Sequence, residues 1–173
     1  MPTEILRPNA SGDLNNVTGQ NNCSVSPNHY TCCDETTEAL ADATGFHCSH
    51  IPVSDESDLF ALPAPSGSGV ISKVTLLYRA AVYGGGSFRG LIKTHSTIYE
   101  TASHTDTSKT SYTEEYSTNP NTDEAWTWNE ISDLQIGARL TSGPYQNTQC
   151  HWLYITVEYT PAVVKKGNFF QLF

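Results

Sequence analysis

The chain has 173 residues, enough for one domain that buries roughly two thirds of the surface its unfolded form exposes. Its 9 lysines and arginines stand against 18 acids, and a net charge of −9 repels a phosphate backbone, which excludes nucleic acid as a partner class. Only 38% of residues are apolar and no apolar run approaches the ~18 residues of a membrane span, so the Ser-, Thr- and Asn-rich remainder points to a β protein with solvated outer faces.

The segment from Met1 to Pro8 lacks the charged-then-apolar order of a signal peptide, which predicts a chain made without a secretory leader. Five cysteines and few lysines nevertheless suit an extracellular life. A virion component, made in the host cytoplasm and released by lysis, meets both conditions. A processed secreted protein is the alternative, in which case Asn9, Asn16 and Asn22 head sequons.

Residues 1–60 read as irregular, with one short strand at Glu4 to Leu6, and form an arm and a cysteine-rich segment packed on a sandwich built by residues 61–161. Within this segment Cys23, His29, Cys32, Cys33, His47, Cys48 and His50 raise a structural zinc site. The spacing argues against it, because adjacent Cys32 and Cys33 point to opposite sides of an extended chain and do not wrap one ion. Disulfides among Cys23, Cys32, Cys33 and Cys48 are the better expectation, with at least one of the five cysteines left over. The acids Asp34, Glu35, Glu38, Asp42, Asp55, Glu56 and Asp58 lack the spacing of a calcium loop and read as a solvated surface.

From Val70 the period-2 pattern is clear: Val74, Leu76, Tyr78, Ala80 and Val82 alternate with Lys73, Thr75, Leu77 and Arg79. Gly84-Gly85-Gly86 breaks this strand and Phe88, Gly90 and Ile92 resume it, so a hairpin is the simplest connection. Ile98 to Thr101 and Tyr112 to Ser117 are weaker strands around a Ser/Thr-rich loop. Asn119 to Asp123 forms a turn, and Asn129 caps a single helical turn through Asp133. Two strands close the domain, one placing Leu134, Ile136, Ala138 and Leu140 on a face, the other Leu153, Ile155, Val157 and Tyr159. The fold class expected is all-β: an antiparallel β-sandwich of jelly-roll type.

Trp126-Thr127-Trp128 sits beside the turn, where the tryptophans would plug one end of the sandwich. Taken with Leu6-Arg7-Pro8-Asn9, Asn28-His29-Tyr30, Asp58-Leu59-Phe60, Ile71 to Leu76, Ser117 to Pro120, Leu134 to Gly137 and Val157 to Thr160, this order resembles a loosely defined group of β-sandwich proteins encoded among tailed-phage structural genes. The resemblance implies a virion accessory or decoration role and no catalytic residue. The amino-terminal cysteines depart from the group's pattern.

No catalytic, cofactor or metal site is assigned. Glu114 or Glu115, or Glu130 with Asp133, supply carboxylates without a hydrolase signature. The alternative to assembly is a carbohydrate-binding module of adhesin type, stacking sugar on Trp126, Trp128 or Trp152. Residues 162–173 form a tail in which Phe169, Phe170, Leu172 and Phe173 follow a lysine pair and Gly167. Burying each is worth roughly 1.5–3 kcal/mol before ordering costs, so the tail is expected to dock on a protein partner, either another copy in a homo-oligomer or a capsid or tail protein.

Overall fold

The computed structural model describes residues 1–17, 19–20, 28–34, 46–47, 54–144 and 147–162. Two antiparallel sheets face each other across one apolar core. Sheet A runs β3 (Gly19–Gln20), β4 (Phe46–His47), β11 (Thr148–Thr160), β6 (Val70–Val82) and β9 (Thr110–Tyr116), with β1 (Thr3–Leu6) also paired to β11. Sheet B runs β2 (Ala10–Asn15), β5 (Asp55–Ala61), β10 (Gln135–Thr141), β7 (Ser87–Thr94) and β8 (Thr97–Glu100). Pairing is nested along the chain, β7 with β8, β6 with β9, β5 with β10 and β4 with β11.

The alternating patterns mark the inner faces. Val74, Leu76, Tyr78, Ala80 and Val82 of β6 are buried in the core, as are Phe88 and Ile92 of β7, Ile136, Ala138 and Leu140 of β10, and Leu153, Ile155 and Val157 of β11. Burial of this stripe from both sheets is the main stabilising term.

The glycine triplet does not close a hairpin. β6 pairs with β11 and β9 in sheet A, whereas β7 pairs with β10 and β8 in sheet B, so the triplet carries the chain from one sheet to the other. Gly84 and Gly85 turn it at φ 65° and 86°, a region that side chains disfavour. The amino-terminal third also contributes more than an arm: β2 and β5 belong to sheet B, and β5 sits between β2 and β10.

The helical turn is α1 (Trp128–Ser132), and its N-cap is Thr127 rather than Asn129. Thr127 and Glu130 form a reciprocal capping box, each side chain taking the other's backbone N–H.

Loops pack against the sandwich on two sides. On one, a 3₁₀ turn (His29–Cys32) lies beside β11, where the Cys33 carbonyl accepts from Leu153 N at 3.0 Å. On the other, the chain after β8 returns so that His104 bridges to Phe88, and its ring stacks on Tyr112 at 3.8 Å. Tyr78 reaches across from β6, donating to Thr101 Oγ1 (2.9 Å) and meeting His104 Nε2 (2.8 Å). Gly90 makes room for it, since a Cβ there would stand 2.8 Å from the Tyr78 ring.

Candidate functional site

The described residues surround one open polar cleft of about 420 Å³, between the β7–β8 turn, α1, the start of β10 and a bulge in β2. The two-residue turn holds His95 and Ser96 at φ 50° and 68°. Such a turn normally uses Asn-Gly, so two larger residues hold it against their own preference.

Opposite, the capping box fixes Glu130 on α1. Its Oε2 accepts from Thr127 N (2.7 Å) and Thr127 Oγ1 (2.9 Å), and its Oε1 accepts from Asn119 Nδ2 (2.9 Å). Asn119 also donates to Thr94 Oγ1 (3.0 Å), which lies within hydrogen-bond distance of His95 Nδ1 (3.0 Å). The imidazole Nε2 lies 3.6 Å from Glu130 Oε1.

The third wall comes from β2. Its register breaks between Ser11 and Asn15, and the displaced segment crosses the outer face of sheet B. There Asp13 N donates to Gln135 Oε1 (2.9 Å), and the Asp13 carboxylate pairs with Lys93. The Lys93 hydrogen bond, then that of Gln135, holds the Asp13 carboxyl below the usual range. The cleft therefore offers carboxylate, amide, hydroxyl and imidazole groups with no aromatic platform. This arrangement is suited to hydrogen-bonding a hydroxylated ligand. It is not a pair of free carboxylates facing each other, because Glu130 is engaged by the helix cap.

The tryptophans lie elsewhere. Trp126 is buried and donates to Tyr116 O (3.2 Å). Trp128 is half-buried, donates to Gly69 O (3.0 Å) and packs edge-on against Tyr159 at 5.1 Å. These two do plug an end of the sandwich. Trp152 stacks with Tyr154 (5.1 Å), over whose ring lies the Arg7 guanidinium (4.4 Å), and is also buried. The alternative in which Trp126 and Trp152 stack on sugar is thus corrected by their burial.

The cysteine segment is reached in part. Cys23 and Cys48 lie outside the described residues, as do Phe169, Phe170, Leu172 and Phe173 of the tail. Cys32 is fully buried, and Cys33 is a free thiol, which removes it from the disulfide candidates. Cys33 and Cys150 are both buried in the core, and desolvation, chiefly, pushes both thiols up from their ordinary value.

Beside them His29 Nδ1 meets Asp58 Oδ2 at 2.5 Å with both side chains fully buried, and Asp58 Oδ1 accepts from Asn16 N (2.7 Å) and Val17 N (2.9 Å). The sequence placed His29 in a Cys/His cluster whose spacing argued against a metal, and read Asp58 as a solvated acid. Instead, the pair fastens the 3₁₀ turn to β5 and β2. Among the described residues no group of three or more His, Cys, Asp or Glu side chains is placed to hold a metal ion, and no helix is long and apolar enough to cross a membrane.

The acids named from sequence are likewise dispersed. Asp55 accepts both ends of the Arg139 guanidinium (2.9 and 2.5 Å), and Arg139 also reaches Glu100 (2.8 Å). Glu115 binds Lys73 (2.8 Å), while Glu114, its neighbour on β9, faces the opposite way.

No protein-family model matches the chain, and no curated protein is similar to it at a significant level. The functional reading therefore rests on fold and site.

Proposed function

We propose that this chain is a structural subunit of an extracellular assembly, a virion accessory or decoration protein of a tailed phage, and not a catalyst. The nested pairing of eight strands into two four-stranded layers carries this reading. It is the pattern of one long hairpin rolled on itself, as in a jelly roll, an architecture shared by viral capsid and lectin domains. The warrant is fold analogy, joined by the phage-type resemblance of the sequence. In support, histidine, cysteine and aspartate side chains of the kind that perform catalysis are spent on internal bracing at His29, Cys33, Asp58 and Cys150.

In this reading the protein is made in the host cytoplasm and travels with the particle. A disulfide at Cys32, with Cys23 or Cys48, secures the amino-terminal segment. The apolar tail docks on a shell or tail protein or on another copy. Mass spectrometry of purified particles should find the full chain. Deleting residues 167–173 should leave a folded sandwich that no longer joins particles; a truncated protein that unfolds or joins them equally well would refute the docking tail.

A second reading is favoured by the cleft. If the protein binds glycans, its hydroxyl-bonding groups at Asp133, Gln135 and Ser96 would make the contact, rather than the tryptophans. Selective binding on a glycan array, lost in Asp133→Ala and Gln135→Ala, by a protein absent from particles would replace the assembly reading.

A further inference from the structure

β9 is the outermost described strand of sheet A. A sheet edge exposes a row of backbone donors and acceptors, and proteins blunt such edges with short strands, bulges, proline or lysine. The other outer strands here carry these devices. β2 is bulged, β3 has two residues, and β8 has four with the Asn121 amide lying against Thr97 Oγ1 (3.3 Å) and Tyr99 OH (3.0 Å). β9 is neither short nor bulged and has no proline or lysine: its seven residues hold an unbroken register against β6, from Thr110 opposite Ala80 to Tyr116 opposite Val74, and its only charges are Glu114 on the inner face and Glu115 on the outer.

We propose that β9 pairs antiparallel with β9 of a second copy, about a two-fold axis through Thr113, so that sheet A continues from one molecule into the next. Self-complementarity argues for a second copy as the occupant. Opposed residues in an antiparallel pair must share a face, which limits the registers. Centring on Glu114 or Glu115 sets that carboxylate against its own symmetry mate. Centring on Thr113 pairs all seven residues and opposes no two acids.

The charges also fit. In this register Ser111 stands opposite Glu115 of the second copy. Arg79 donates to Ser111 Oγ (3.0 Å) from the adjoining strand, so its guanidinium lies one strand away from the incoming carboxylate. Lys73 holds Glu115 from its own side (2.8 Å), which leaves each Glu115 between a lysine of its own chain and an arginine of the other. On the inner face Tyr112 meets Glu114 and Thr110 meets Tyr116. Backbone hydrogen bonds supply the affinity and this pattern fixes the register.

The pairing belongs to the purified chain and does not depend on the particle reading. Sedimentation of the full-length protein should give a dimer. In oxidising buffer Thr113→Cys should trap it covalently, because residues facing each other across the axis lie within disulfide reach. Ser111→Cys alone should not, whereas Ser111→Cys with Glu115→Cys should, and the wild-type chain provides the background from its own cysteines. Thr113→Lys, which sets two ammonium groups against each other, should weaken the dimer about tenfold or more with an unchanged far-UV spectrum. Deletion of residues 167–173 should leave this dimer intact, which separates it from tail docking. A wild-type protein that stays monomeric at every concentration reached would overturn the proposal. So would a dimer unaffected by Thr113→Lys, or one trapped as readily through Ser111→Cys as through Thr113→Cys.

Discussion

Asp58 shows how a polar residue comes to define a core. Its carboxylate takes two backbone N–H groups from Asn16 and Val17, just beyond β2, and the His29 ring from the 3₁₀ turn, with Asp58, His29 and Val17 buried. Removing one partner of such a buried pair leaves the other polar group unanswered, so Asp58→Ala should lose about 3–5 kcal/mol in urea unfolding. A loss under 1 kcal/mol would show that the pair is not bracing the edge. Cys33 and Cys150 belong to the same region, and burial keeps them as thiols. Neither should react with a thiol reagent in the folded protein, and both should react at once in denaturant.

His104 gives the molecule a pH response. Burial disfavours its charged form more than Asp106 and Glu114 favour it, so the folded ring titrates below the ordinary 6.5. The unfolded state then binds the proton first. Stability from this residue is complete above pH 6.5 and is lost as pH falls through the lower folded value. Asp55, held down chiefly by the Arg139 hydrogen bond, and Asp13, held down chiefly by that of Lys93, contribute above their ordinary 3.8 and lose it further into acid. Melting temperature should therefore fall in two acid phases, and His104→Gln should flatten only the upper one. None of this was visible in the sequence, where His104 sits in a Ser/Thr-rich stretch without periodicity.

Among the elements, legibility followed alternation. The inner faces of β6, β7, β10 and β11 could be read directly, because period 2 reports which side chains share a face. It does not report which strand lies alongside, and so the glycine triplet looked like a hairpin when it is a passage between sheets. β5 escaped notice because Asp55-Glu56-Ser57-Asp58 carries residues depleted in strands, and partners from elsewhere in the chain, Arg139 for Asp55 and His29 for Asp58 among them, make them acceptable there. The cleft was illegible for a similar reason. Asp13, Lys93, His95 and Glu130 come from four elements, and no spacing along the chain brings them together. Gly90 tests the packing between the layers directly. Its missing side chain admits Tyr78, so Gly90→Val should destabilise the fold by roughly 1–3 kcal/mol through overpacking, and a neutral result would mean that the Tyr78 ring moves aside freely.

At the scale of the whole molecule, the nesting of strand pairs imposes an order on synthesis. β11 lies at the centre of sheet A, bonded to β1, β4 and β6, and its partner in β4 lies about a hundred residues earlier. A ribosome delivers this strand after every other described one, so β1 and β6 emerge with their shared neighbour still unmade, and sheet A cannot be completed before β11 is made. Closing contacts so distant in sequence is entropically slow, and folding on the scale of milliseconds to seconds is expected. A chain ending at residue 147 should remain unfolded, whereas one ending at residue 162 should give the native far-UV spectrum. The nascent protein thus carries unpaired strands until β11 has emerged, and binding by chaperones that hold exposed strands is the expected consequence in any cell that makes it.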